Sequence, residues 1–395
     1  MEDYFRRTWA EINLNKLEHN FNVIKGCIDK NVKLCCVVKA DAYGHGAKEL
    51  AALYERLGAD FFAVSNLEEA IELRRSSITT PILILGYTPA AYAKTLANNN
   101  ITQAVVSGEY ARELSQSAVS FGVTVPVHLK IDTGMSRIGI MYQDESRDDA
   151  LTEALNIIKL EGLNVTGAFT HFAVSDEKDE GRAYTEHQIS CFRKLCDSLR
   201  QTGAIGDGFI CHCSNSAAIM DYKQAHMDMV RAGVILYGLA PSGKLKGQID
   251  LKPAMAIKSV VAHIKDIEQG TTVSYGRTFT AEKKMRIATV PIGYADGYLR
   301  SFGKDAYMIV GGKKAKVVGR ICMDQCMIDI TGLDDVKVGD TVTVIGHSDG
   351  CEVSMDDAAE WAGTINYEIA CLVGKRVPRV YIKDKEVTSV NGLIS

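Results

Sequence analysis

Up to about residue 240, short apolar and β-branched runs alternate with longer stretches in which apolar positions recur every three or four residues. The runs predict strands at Lys33–Lys39, Asp60–Val64, Pro81–Leu85, Thr102–Val106, Pro126–Ile131, Asn164–His171, Gly208–Cys213 and Val234–Tyr237. Ala47–Leu57, Leu67–Arg75, Ala150–Leu160 and Tyr184–Arg200 carry the helical spacing between them. Eight strand-then-helix repeats within about 250 residues predict an α/β fold of the TIM (β/α)8 barrel type rather than an open sheet. In such a barrel the chemistry sits where the strands end.

After Pro241 the texture changes. Strand-like runs follow at Ala256–Ile264, Met285–Pro291, Met308–Val310, Lys316–Val318, Met327–Ile330 and Thr341–Ile345, separated by turn signals such as Gly311-Gly312 and Gly339-Asp340. The expected organisation is a barrel domain over 1–242 and a C-terminal β-rich domain over 243–395.

Composition narrows the function. A net charge of −4 gives no basic footprint for nucleic acid or anionic lipid, which leaves a small-molecule substrate as the expectation. No run is apolar for the ~18 residues needed to span a bilayer, and MEDYFRRTWAEINLN lacks a signal-peptide core, so a cytoplasmic location is expected. The 11 cysteines sit largely in apolar runs and form no C-x-x-C pair, which fits reduced thiols. Cys211, His212 and Cys213 look like a ligand cluster, but strand alternation turns His212 away from both thiols, and no metal is expected. Gly238 to Lys244 spells G-x-x-x-x-G-K, yet Leu245 stands where a magnesium-binding hydroxyl would be needed.

The candidate chemistry begins at VKLCCVVKADAYGHG, where Lys39 ends an apolar strand. An amine between apolar walls loses proton affinity and can attack an aldehyde; the alternative is a lysine that snorkels to the barrel rim. By itself Tyr275, in VSYGRTF, reads as an ordinary strand aromatic.

Taken together, the motifs settle on one family. VVKADAYGHG is similar, almost residue for residue, to the cofactor-lysine motif of bacterial alanine racemases. HLKIDTGMSRIG (128–139), THFAVSDE (170–177), SNSAA (214–218), MVRAGVILYGLAPS (229–242), VSYGRTF (273–279), PIGYADGY (291–298), GRICMDQ (319–325) and TINYEI (364–369) resemble its other signatures, in order. The resemblance implies a fold-type III enzyme that carries pyridoxal 5′-phosphate and works as a homodimer with shared active sites on a small amino acid.

It also implies roles. Lys39 would hold the cofactor and serve as base on one face of the substrate, with Tyr275 of the partner subunit on the other and His171 aiding it. Arg231 would donate to the pyridine nitrogen, where a carboxylate stands in other cofactor classes. Tyr43, Ser216, Gly233, Val234 and Tyr367 match phosphate contacts, and Arg137 matches a contact to the cofactor's ring oxygen and the substrate carboxylate. Lys130 matches a lysine that relatives can carry as a carbamate, orienting Arg137. Met323 and Asp324 match the substrate-side loop. Tyr294 and Tyr367 resemble the inner gate, and Asp176, Arg300 and Arg320 its charged outer layer. Bulky phenols at the gate favour alanine, a D-alanine supply for peptidoglycan being the expected role. Serine racemases on the same scaffold would call for a smaller polar residue in place of Tyr367. Tyr275 and Arg231 speak against a decarboxylase of the same fold type, and the β domain bearing Tyr275 speaks against a non-catalytic cofactor carrier.

Overall fold

The computed structural model describes residues 6–143 and 147–393, which fall into two units. Among the described residues, one comprises those within 18–42 and 47–252, and the other those within 6–17, 43–46 and 253–393.

The first unit is a nearly closed parallel barrel. Its strands run, in spatial order, Met229–Ala232, Lys33–Val37, Phe61–Val64, Ile82–Ile84, Ile101–Val105, Val125–Asp132, Leu163–Phe169 and Ile210–His212. Helices cover the outside, so the strands are buried on both faces; Phe61–Val64, Ile82–Ile84 and Ile101–Val105 are buried at every position. Between the last two neighbours the ladder gives way to single bonds, from Asp228 N to Cys211 O and from Arg231 N to Ser214 O.

The eighth strand is not Val234–Tyr237. That run is a 3-10 turn, and Met229–Ala232 pairs in parallel with the first barrel strand instead, Met229 opposite Lys33. Four consecutive buried apolar residues look alike as strand or helix, and Gly233 before them turns the chain out of the sheet with φ −114° and ψ −107°. Arg231, outside the strands expected from the sequence, thereby lies within one.

The second unit is built on a long sheet in the order His263–Ile267, Met285–Val290, Cys326–Asp329, Lys313–Val318, Tyr307–Val310, Thr341–Ser348, Met255–Val260, Thr8–Asn13, Arg379–Lys383 and Glu386–Asn391. Met255–Val260 alternates buried and half-buried residues, as a strand with one covered face does. The N-terminal strand Thr8–Asn13 lies inside this sheet, antiparallel to Met255–Val260 and parallel to Arg379–Lys383. The chain therefore starts in the second unit, before the barrel, and returns to it after Lys252. Ala256–Ile264, expected as one strand, is two, since the chain changes partner at Val261–Ala262. Two helices absent from the sequence reading, Met355–Ala362 and Asn366–Cys371, follow the Ser354 cap. No helix among the described residues is long and apolar enough to cross a membrane.

One local feature positions the site. The helical turn Lys39–Gly44 has the left hand, with φ of +52°, +54°, +52°, +52° and +76° from Ala40 to Gly44. Four non-glycine residues in that region cost roughly 4–8 kcal/mol, at about 1–2 kcal/mol each. Oriented hydrogen bonds offset this cost. In the barrel unit Ala42 N donates to Val38 O (2.9 Å), the Glu69 carboxylate accepts Ala40 N and Ser65 N (2.7 Å each), and Asp41 accepts Ala47 N (2.7 Å). In the sheet unit Arg379 Nε donates to Gly44 O (3.0 Å) and the Tyr381 hydroxyl to His45 O (3.1 Å). Gly44 is required twice over: its φ is positive, and a Cβ there would stand 2.2 Å from the Ala370 carbonyl oxygen. Gly44→Ala is expected to lower unfolding free energy by about 2–4 kcal/mol. The check is the midpoint of urea denaturation, which should fall with an unchanged slope.

Candidate active site

In the barrel unit the chemistry gathers where the strands end. Lys39 is half-buried, directly after the first strand. Arg231 enters from the last strand with its guanidinium buried. Its Nη1 donates to His212 Nδ1 (2.9 Å) and His212 O (3.1 Å). Its Nη2 donates to Thr170 O (2.7 Å) and Cys213 O (3.2 Å) and approaches His171 Nδ1 at 3.4 Å. The guanidinium also lies 5.4 Å from the Phe169 ring centroid. Burial alone pulls its pKa down to about 10, still leaving the group charged at neutral pH.

A chain of imidazoles runs from this cation. A guanidinium only donates, so His212 Nδ1 must accept and its Nε2 carries the hydrogen. That Nε2 lies 3.0 Å from His128 Nδ1, which then accepts, leaving the hydrogen on His128 Nε2, a buried atom without a partner. Burial, then Arg231, pushes His128 down to about 3 and His212 well below its ordinary value, so both are neutral. His171 is neutral for the same reasons, with Arg137, Lys130 and Lys39 adding to burial and Arg231. Four cations thus converge electrostatically on one imidazole.

Lys130 is buried and donates to Ile131 O (2.7 Å) and Ile138 O (3.1 Å). Burial pulls its ammonium down to about 8; Asp132 opposes the shift, and Arg231 and Arg137 add to it. Asp132 organises the loop bearing Arg137, accepting Gly134 N (2.9 Å), Ser136 N (3.0 Å) and Arg137 N (3.2 Å). Asn215 caps the short helix that starts at Ser216, taking Ala218 N at 3.0 Å, and Ser216 Oγ accepts Gly233 N at 2.9 Å. Ser216, Gly233 and Val234 are therefore neighbours. Asp176 is half-buried, which raises its pKa, and its carbonyl accepts Ser242 Oγ.

The sheet unit carries the remaining residues. Tyr43 and Tyr367 lie with ring centroids 6.1 Å apart. Tyr275 is 68% exposed and opens a 3-10 turn pinned by Ser274 Oγ donating to Arg320 O (2.5 Å). Tyr294 is held to the loop bearing Met323 by Tyr294 N to Cys322 O and Ala295 N to Met323 O, both 3.1 Å. Gly293 makes that approach possible, since a Cβ would stand 2.3 Å from both of those carbonyl oxygens. Met323 is 52% exposed, and Asp324 pairs with Arg376 at 2.6 Å. Arg300 is exposed at the start of another 3-10 turn.

Sequence reasoning gave no role to His128 or His212, and none to Asp132 or Asn215. The signal for the two histidines was present: each is a polar residue in a barrel strand whose chain neighbours are apolar. Among the described residues no three His, Cys, Asp or Glu side chains gather as a metal site.

The comparisons with known proteins agree across the whole chain. The family model "Alanine racemase, N-terminal domain" matches residues 12–241, and "Alanine racemase, C-terminal domain" matches 254–381. The alanine racemases of Clostridium perfringens and Clostridium tetani are 45% and 44% identical, each aligned over 100% of both chains. Among solved structures, alanine racemase of Clostridium difficile 630 is 44% identical with a TM-score of 0.91, covering 99% of each chain. That of Bacillus anthracis with bound L-Ala-P is 35% identical with a TM-score of 0.90, covering 98% of each.

The neutral imidazoles set an acid limit on stability. His128 has its folded pKa near 3 against an ordinary 6.5, so its contribution is complete above pH 6.5 and is lost as pH falls toward 3. The loss is about 1.4 kcal/mol per pH unit for one such group. His128→Gln keeps an acceptor for His212 and removes one titration. Urea unfolding of the variant at pH 7 and pH 5 should show a smaller drop than the parent protein.

Proposed function

Because the chain belongs to the alanine racemase family and is an amino-acid racemase, we propose that it interconverts L- and D-alanine with pyridoxal 5′-phosphate, Lys39 and the partner subunit's Tyr275 serving opposite faces of the substrate. The observation that carries this reading is the buried Arg231, held by neutral imidazole and carbonyl oxygens beside the cluster of Lys39, Lys130 and Arg137. The residues fit the cofactor: such a cation-rich barrel mouth suits an anionic ligand, and Lys39 is the primary amine an aldehyde requires.

When bound, pyridoxal 5′-phosphate supplies the electron sink for the pair left as Cα loses its proton. Lys39 would hold it through Nζ, Arg231 would donate to its ring nitrogen, and Ser216, Gly233, Val234, Tyr43 and Tyr367 would hold its phosphate.

Each face of the substrate needs a group that takes a proton and returns it. Lys39 Nζ would be the base on its face. Tyr275 Oη serves the other face, and a phenol needs help to act as a base at neutral pH. His171 offers that help: with Nδ1 turned to Arg231, its Nε2–H is the donor that stabilises a phenolate. Arg231, a permanent cation, opposes a second positive charge beside it, which favours plain proton exchange over reactions that need a deeper sink.

Arg137 would grip the substrate carboxylate with its planar fork, supported by Met323. Lys130, with its ammonium near 8, has enough neutral amine at physiological pH to add CO2, losing a proton and becoming the anionic carbamate that orients Arg137. The phenols Tyr294 and Tyr367 would form the inner gate, with Asp176, Arg300, Arg320 and Asp324 around it. The bulky phenol of Tyr367, beside Tyr43, would favour alanine over a larger side chain. A homodimer follows from the shared site. Eleven free thiols fit a reducing cytoplasm, where D-alanine for peptidoglycan is needed.

Purified protein should be yellow and should racemise both alanine enantiomers; Lys39→Ala should abolish both properties. Tyr275→Phe should keep the colour and slow racemisation by about 10²–10⁴-fold. Full activity in that variant would sink the two-base assignment. A serine rate exceeding the alanine rate in the parent protein would overturn the substrate.

A further inference from the structure

We propose that Arg376, braced by the buried carboxylate of Asp296, is a positioning residue that fixes the substrate-side loop around Met323 through Asp324. The inference rests on the reading that this loop meets the substrate carboxylate.

Asp296 is where the argument begins. Its side chain is fully buried and accepts three donors: Arg7 Nη2 at 2.6 Å and Arg376 Nε at 2.7 Å on Oδ1, and Gly293 N at 3.0 Å on Oδ2. A buried carboxylate is retained only where it is so well paired. Arg7 is itself anchored, since its Nη1 donates to Pro291 O at 2.8 Å. Two guanidinium groups from opposite ends of the chain thus converge on one oxygen.

Arg376 has a second function. While Nε binds Asp296, its Nη2 reaches Asp324 Oδ1 at 2.6 Å. The guanidinium is planar and rigid, so it holds the two carboxylates at a fixed spacing. Asp324 follows Met323 directly. The loop backbone is also stitched to the Tyr294–Asp296 turn, by Tyr294 N to Cys322 O and Ala295 N to Met323 O. Those bonds fix the stem; Asp324 is the attachment at the tip, where its side chain is 52% exposed. Gate and substrate loop are therefore set from the same turn.

The geometry separates positioning from folding. With Arg376 removed, Asp296 keeps Arg7 and the Gly293 amide, so the core of the network survives. Asp324 alone is released. Arg376→Met should raise KM for both alanine enantiomers about fivefold, the worth of one half-exposed ion pair. Cofactor absorbance and the denaturation midpoint should stay within error, and kcat should fall by less than KM rises. Asp324→Asn should raise KM to a similar extent, the double variant should be no worse than either single change, and Arg376→Lys should recover part of the loss. An unchanged KM in Arg376→Met, or effects that multiply in the double variant, would overturn the proposal.

Amide hydrogen exchange across residues 321–325 of the holoenzyme tests the clamp independently of catalysis. Exchange should quicken in Arg376→Met, and equal exchange in both proteins would overturn the clamp. If the parent protein fails to racemise alanine while exchange still quickens, the functional reading fails and the clamp stands.

Discussion

A guanidinium held inside a barrel against carbonyl oxygens and an imidazole constrains everything near it. Arg231 closes the region where the last two strands lack a regular ladder, tying Thr170, His212 and Cys213 to the final strand through their carbonyls. An arginine suits this place better than a lysine, because its five donors lie in one plane and it keeps its charge despite burial. Burial first, and the charge of Arg231 second, keep the neighbouring imidazoles of His171, His212 and His128 neutral.

The strained turn after Lys39 is the second constraint. Left-handed φ values at Ala40, Asp41, Ala42 and Tyr43 persist because surrounding groups over-determine them: Glu69 and Asp41 on one stretch, Arg379 and Tyr381 on the next. Wound in this hand, the backbone leaves the strand end with Ala42 N on Val38 O and Ala40 N on the Glu69 carboxylate.

Most of the barrel was legible in the sequence because its strands are buried on both faces and read as continuous apolar runs. Where the reading failed, the reason was a lack of local information. Val234–Tyr237 is as apolar as a strand, and only its tertiary setting makes it a 3-10 turn. Thr8–Asn13 pairs with residues some hundreds of positions away, which no local pattern announces. Motif resemblance named candidate site residues one by one, but not the groups that support them. Asp296 stands in PIGYADGY as one acidic residue among many, and that two arginines meet on it depends on pairings across nearly the whole chain. His212 was weighed only as a metal ligand, so its partnership with Arg231 went unread.

The charge pattern also bears on why such a site would exchange protons and do little else. A carboxylate beside the ring nitrogen of a pyridine cofactor would invite a proton there and deepen the electron sink; Arg231 supplies the opposite field. The same cation fixes the tautomers of His171 and His212, so each imidazole presents a hydrogen outward from the guanidinium. A group on the far side of His171 therefore meets a neutral donor with a fixed direction. Such a donor steadies a phenolate without surrendering its own proton, because burial and four nearby cations make the imidazolium unfavourable while the N–H remains. In the proposed reaction, that one residue on the last barrel strand would limit the depth of the sink and prepare the hydrogen bond that a tyrosine base requires.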